Sequence, residues 1–252
     1  PMPDEPSTVL LERSGAVATV TLSRPEALNA ITREMLLELG ATLDGIAADV
    51  SVRVVVLTGA GRAFSAGVDL KALAGVKLDD GAVGDFLDIP ARAAITTITT
   101  MPQVVIARVN GFCFTGALEV VLACDMVVAA AEAKLGDTHA KWGLRPTWGM
   151  SQRLVRAVGI TRARELSLTA RTFTGTEAAA WGLATCAVPL VELDAAVDEL
   201  ARAVTAGSPG SVAAYKDLFL RSLDEGLAAG LDYEASTIFD IADTEERISG
   251  FR

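Results

Sequence analysis

The chain has little of what reactive chemistry commonly uses: one histidine, three cysteines and two tyrosines in 252 residues. Cys113, Cys124 and Cys186 show no CxxC spacing and lie in apolar stretches, so they read as buried free thiols of a reducing compartment. Positive charge is also scarce. Lys and Arg number 22 against 32 Asp and Glu, a net charge of −10, so nucleic acid and anionic membrane surfaces are not expected as partners. The longest apolar stretch, 117–131, is interrupted by Glu119 and Asp125 and does not read as a membrane span. Pro1-Met2-Pro3-Asp4 has no basic segment leading into an apolar one, so no secretory leader is expected and a cytoplasmic location is. Neither a GxxxxGK[ST] loop nor a GxGxxG turn opening a helix is present.

What is present is apolar bulk. A hydrophobic content of 51% is enough for one large core. In the first half strands and helices alternate. Strands are expected at 17–22, 52–58, 103–109 and 126–130, and a helix over 32–46 with Thr32 as its N-cap. A second helix ends over 95–100, before Pro102. The polar, Gly- and Asp-rich stretch Lys77 to Asp88 reads as a mobile surface connection. Near-continuous apolar strands between helices indicate an α/β layered fold. From Gly159 onward the pattern turns helical, with helices expected at 161–168, 175–181, 193–206, 211–223 and 227–240. Residues 1–206 are therefore read as the α/β core, and 207–252 as a C-terminal helical region that packs on the core or on a neighbouring subunit.

The densest chemical signal is Gly116 followed by Glu119 inside an apolar helix. A glycine opening a helix leaves a backbone N–H free for a carbonyl oxygen. One turn later stands a carboxylate among Val120, Val121 and Leu122, where a bare charge is expensive to bury. A polarised carbonyl beside an acid/base is what carbanion chemistry next to a thioester requires. A second glycine-containing turn, Gly61 to Leu70, also follows an apolar strand, and N–H groups from the two turns can converge on one oxygen.

Several segments in order then resemble the enoyl-CoA hydratase/isomerase (crotonase) superfamily. They are Arg62-Ala-Phe-Ser-Ala-Gly-Val-Asp-Leu-Lys71, Val109-Asn-Gly-Phe112 through Glu119 to Asp125, Lys134-Leu-Gly136, Gly143-Leu-Arg-Pro146, Ser151-Gln-Arg-Leu154 and Trp181-Gly-Leu183. The resemblance implies a β/β/α spiral core with a C-terminal helical region, assembled as a homotrimer or homohexamer. It implies a coenzyme A thioester as substrate, no permanently bound cofactor and no metal. The implied reaction adds water to a trans-2-enoyl-CoA to give a 3-hydroxyacyl-CoA, and fatty-acid degradation is the pathway inherited from the family. Double-bond isomerisation, carbon–carbon bond hydrolysis and acyl-CoA binding without turnover are the rivals.

Carried over position by position, the oxyanion hole falls on the N–H groups of Ala66 and Gly116. The segment along the CoA falls on Gly67, Val68, Asp69 and Leu70, with Asp69 also capping a following helix, and Ala27 and Ala63 match positions near the adenine and pantetheine ends. Glu119 matches one of the two hydratase glutamates; the other position is occupied by His139, the single histidine. With an ordinary pKa of about 6.5, imidazole can do the proton transfer of a glutamate. Two readings stand: a Glu119/His139 acid–base pair, or a loop histidine beside a lone catalytic Glu119. Asp137 is read as a turn residue, with orientation of the imidazole as the alternative. Trp148 replaces a small residue near the acyl end and either lines the pocket or fills the core; Trp142 is read as core. Arg24, Arg62, Lys71 and Lys216 are candidates for CoA phosphates, or else solvated surface charges.

Overall fold

The computed structural model describes residues 7–71, 73, 78 and 80–250. The chain begins with strands β1 (Val9–Ser14) and β2 (Val17–Leu22), followed by helix α1 (Arg33–Ala47). Then come β3 (Val54–Gly59), β4 (Ala63–Ser65), α2 (Asp85–Thr100), β5 (Val104–Val109), β6 (Phe112–Phe114) and α3 (Gly116–Val121). A third repeat holds β7 (Met126–Ala130), β8 (Lys134–Gly136), α4 (His139–Trp142) and α5 (Met150–Thr169). The remainder is β9 (Phe173–Thr174), α6 (Gly175–Ala180), β10 (Cys186–Val188), α7 (Leu193–Ala206), α8 (Pro209–Asp224), α9 (Leu227–Ser236) and α10 (Thr244–Ser249).

Two sheets result. The larger runs β1-β2-β3-β5-β7-β10 and is parallel except for the β1–β2 hairpin; the smaller runs β4-β6-β8-β9. Each central strand of the large sheet (β3, β5, β7) is followed by a strand of the small sheet (β4, β6, β8) and then by a helix. The chain therefore winds as repeated β/β/α turns. Strand β3 is buried along its whole length, as a parallel strand covered on both faces must be. The bends between paired strands are tight. A Cβ at Gly59 would lie 2.2 Å from the carbonyl oxygens of Ala63 and Phe64, so only glycine fits. Two buried asparagine amides hold these bends. Asn110 Nδ2 donates to the carbonyls of Gly59 (2.9 Å) and Gly61 (2.8 Å), and Asn29 Nδ2 to those of Ala60 and Ala63 (both 2.9 Å).

Several expectations need correction. The stretch read as one connection over 77–88, of which 77 and 79 lie outside the described residues, is not a surface loop over 82–88: Ala82 and Val83 are buried, and α2 begins at Asp85 with Leu87 and Asp88 already in the interior. Gly84, Asp85 and Asp88, which resemble loop residues, are the cap and first turn of this helix, where acidic side chains are favourable. The helix expected over 161–168 is the second part of α5, which starts at Met150 and breaks at Gly159 (φ 75°, ψ 159°). The last long helix stops at Ser236 because Thr237 turns extended. Any helix capped by Asp69 would fall largely outside the described residues; Asp69 Oδ1 accepts the N–H of Lys71.

Lys216 is neither a phosphate ligand nor a solvated charge. Its side chain is 8% exposed, and Nζ donates at 2.8 Å to Asp125 Oδ2 and to the carbonyls of Ile98 and Gln103. It thereby ties α8 to the end of α2 and the start of β5. Burial pushes the Asp125 carboxyl up, and the Lys216 ammonium opposes that shift. Beyond this clamp the C-terminal helices leave apolar side chains in solvent: α9 and α10 bury no residue, and Tyr215, Phe219, Leu227 and Leu231 are exposed. Among the described residues no helix is long and apolar enough to cross a membrane, and Cys113, Cys124 and Cys186 are free thiols.

Candidate functional site

A cleft opens where the ends of the small-sheet strands meet α3 and α4. Its back is polypeptide backbone. At the bridge between Ile31 and Val68, Ile31 N–H donates to Gly67 O (2.8 Å) and Asp69 N–H to Ile31 O (2.9 Å). The N–H of Val68 therefore faces the opposite edge. Val68 lines the cleft, and its N–H meets no acceptor among the described residues. Across from it Gly116 opens α3, where the first N–H of a helix has no partner of its own. Ala66, expected as a donor, is excluded from that role: its N–H donates to Leu28 O at 2.9 Å. The free donor sits two residues further on.

Other expected binding positions hold up this backbone from behind. Ala63 is buried in β4, its carbonyl taken by the asparagine amides, so its side chain cannot touch a ligand. Gly67 is buried with φ 90°, its N–H on Ser65 Oγ. Asp69 pairs with Arg24 at 3.1 Å, which removes Arg24 from the free cations. Leu70 lies at the rim. Ala27 is half-buried in the short 3-10 turn Pro25–Ala27 and does not line the cleft.

The front of the cleft is made of side chains. Glu119 lies one turn into α3 and is 2% exposed. Its Oε1 accepts the N–H groups of Trp148 (3.0 Å) and Met150 (2.9 Å), which leaves Oε2 for the cleft. Burial pushes this carboxyl above its usual range, only partly opposed by the Met150 N–H, the nearby His139 and the Trp148 N–H. Oε2 stands 3.7 Å from His139 Nε2. On the far side of the ring, His139 Nδ1 lies 2.6 Å from Asp137 Oδ1. Asp137 is thus an imidazole partner and not a plain turn residue. Burial raises its carboxyl, but hydrogen bonds from His139 and Ser167 outweigh this and hold it below the ordinary carboxylate range. An ionised carboxylate only accepts, so Nδ1 carries the proton and Nε2 is the working atom.

The two walls are joined. Thr115 precedes Gly116 at φ 52°, a left-handed conformation unfavourable to a β-branched residue. It is held there by its N–H on Gly136 O (2.9 Å) and its hydroxyl on that of Thr138, next to His139. Trp148 lines the cleft with its ring against Gly116. Trp142, expected in the core, is 53% exposed and stands at the cleft mouth with Lys141 over its ring. Neither Asp88 nor Arg153, which fix Trp148, was singled out by sequence: Asp88 stands among loop-like neighbours, and Arg153 entered only as part of the Ser151-Gln-Arg-Leu154 segment.

A free N–H pair facing a buried carboxylate and an imidazole suits an activated carbonyl compound that exchanges protons. Residues 12–252 match the family model described as enoyl-CoA hydratase/isomerase. The chain belongs to that family. It is 31% identical over 244 residues to the short-chain-enoyl-CoA hydratase of Clostridium acetobutylicum, covering 96% of this chain and 92% of the relative. The crystal structure of an enoyl-CoA hydratase from Bacillus anthracis superimposes with a TM-score of 0.90 at 31% identity, covering 97% of this chain and 96% of that one. A Thermobifida fusca protein solved in complex with CoA gives 0.82 at 32% identity, over 97% and 94% of the two chains. The winding of two sheets with C-terminal helices is thus the family's crotonase fold, as the sequence resemblance implied.

Proposed function

We propose that this protein is an enoyl-CoA hydratase that adds water across the double bond of a trans-2-enoyl-CoA. The observation that carries the reading is the placement of Glu119 Oε2 and His139 Nε2, 3.7 Å apart, on one cleft beside the unpaired N–H groups of Val68 and Gly116. The thioester oxygen accepts from those two N–H groups, which stabilise the enolate as charge develops on it. Glu119, as carboxylate, takes a proton from water while the oxygen adds to C3. His139, as imidazolium, gives its Nε2 proton to C2, and Asp137 stabilises that charged form. The products of the step are the 3-hydroxyacyl thioester, a protonated Glu119 and a neutral His139. Transfer of the proton from Oε2 to Nε2 resets the pair.

Glu119 argues against carbon–carbon bond hydrolysis, because the superfamily branch that cleaves β-diketones has a histidine near the position of His139 but lacks the counterpart of this carboxylate; an intact acid–base pair argues against binding alone. The enzyme works as a homotrimer or homohexamer in this proposal, with residues 207–252 packing on a neighbouring subunit; the exposed apolar faces of α8 and α9 support it. Three free thiols suit the cytoplasm. Coenzyme A enters as part of the substrate, and no permanently bound cofactor or metal takes part.

The deciding experiment follows loss of the conjugated thioester absorbance with trans-2-enoyl-CoA in labelled water. Wild type should consume substrate with water oxygen in the product. Glu119→Gln and His139→Ala should each lose on the order of 100-fold or more in kcat. Conversion without water incorporation would make the enzyme an isomerase, and unchanged activity in His139→Ala would leave Glu119 as the single base.

A further inference from the structure

Trp148 is immobilised from four sides. Its N–H donates to Glu119 Oε1 at 3.0 Å, and its carbonyl accepts from Arg153 Nη1 at 2.9 Å. The indole Nε1–H donates to Asp88 Oδ1 at 2.7 Å. The ring lies so close over Gly116 that a Cβ there would meet Cζ3 at 2.6 Å. Asp88 is itself buried in α2 and also accepts the Thr147 hydroxyl at 2.7 Å. Arg92 closes the link, 3.5 Å from Asp88 and with Nε on Thr147 O at 3.1 Å. At 3% exposure the indole is a fixed wall of the cleft and not a movable flap.

That wall stands beside both Gly116 and Glu119, where the thioester carbonyl and C3 would lie in the mechanism above. In that placement the indole bounds the space left for carbons beyond C3, and Trp142, 53% exposed, stands at the mouth. We propose that Trp148, pinned by Asp88, is the specificity-determining residue for the acyl group and fits the site to short enoyl chains of about four carbons, longer chains gaining nothing from their extra methylenes. The assignment rests on the hydratase reading for its substrate class.

Two measurements separate the inference from that reading. The first is the dissociation constant of saturated butyryl-, hexanoyl- and decanoyl-CoA, which needs no turnover. The second is kcat/KM for the corresponding enoyl-CoA esters. Wild type should bind all three chain lengths within about threefold and turn over the four-carbon substrate at least as well as the ten-carbon one. Trp148→Ala should bind decanoyl-CoA about tenfold or more tightly than butyryl-CoA, with kcat/KM shifting the same way. Trp148→Phe, which keeps an aromatic ring, should shift partway and carries the test if the alanine variant does not fold. Wild-type affinity climbing tenfold or more from four to ten carbons, or a folded variant with an unchanged chain-length profile, would overturn the assignment. Absence of wild-type turnover with the expected binding profile would sink the hydratase reading and leave the acyl-length assignment standing.

Discussion

The two walls of the cleft are built by different means. The back offers N–H groups of Val68 and Gly116, whose directions are set by a β-bridge and a helix start. The front offers the side chains of Glu119, His139 and Trp148, each held by a polar partner. A backbone donor survives most changes of its own side chain and fails only when the chain shifts. A side-chain group fails as soon as it is replaced. Tolerance to substitution should therefore be opposite on the two walls.

The sharpest break in that contrast is Gly116→Ala. It keeps the N–H but drives a methyl group into Trp148, so either the ring or the start of α3 must move. Activity should fall about 100-fold, as when an oxyanion donor is lost, measured as kcat on the enoyl-CoA. Asp137→Asn comes next, at roughly tenfold in kcat, because an amide no longer fixes the Nδ1 proton and the ring orientation as the carboxylate does. An unchanged kcat would make Asp137 a plain turn residue.

A smaller effect concerns stability. Burial raises the Glu119 pKa in the folded chain, so its contribution is fully present below the unfolded value and is lost as pH rises through the folded one. Glu119→Gln should then melt higher than wild type near pH 8 by about 2–4 °C, the shift that roughly 1 kcal/mol gives in a chain of this size. The difference should vanish in acid, and calorimetry across pH checks it. Smallest is Val68→Ala, which preserves the N–H and should cost less than about threefold in kcat. A large loss there would place the function of Val68 in its side chain.

Legibility followed the same division. Glu119 and His139 could be found from sequence because a lone acid in an apolar helix and a lone histidine are chemical singularities. Strands β3, β5 and β7 could be found because they are buried on near-continuous apolar stretches, β2 because it is rich in β-branched residues, and α1 because Thr32 caps an amphipathic run. The small sheet had no such signature: its strands are two or three residues long, too short for any period to register. The free N–H lies at Val68, two residues beyond the Ala66 that the resemblance pointed to, because backbone direction is invisible to side-chain pattern. Asp88 was read as part of a loop because two glycines and two aspartates precede it within 80–85.

Composition, apolar periodicity and motif order determined by themselves that this chain forms a layered α/β core, that its one histidine stands where the resembling family has a second glutamate, and that its net charge is negative. These depend only on residue type and spacing. Which N–H is free, that Asp137 grips His139, that Trp148 is wedged over Gly116 and that Lys216 is buried were decided by the tertiary structure alone. Each is a relation between segments far apart in sequence or a matter of backbone orientation. Hydrogen bonds of about 3 Å are satisfied by where the chain is, not by what it is made of.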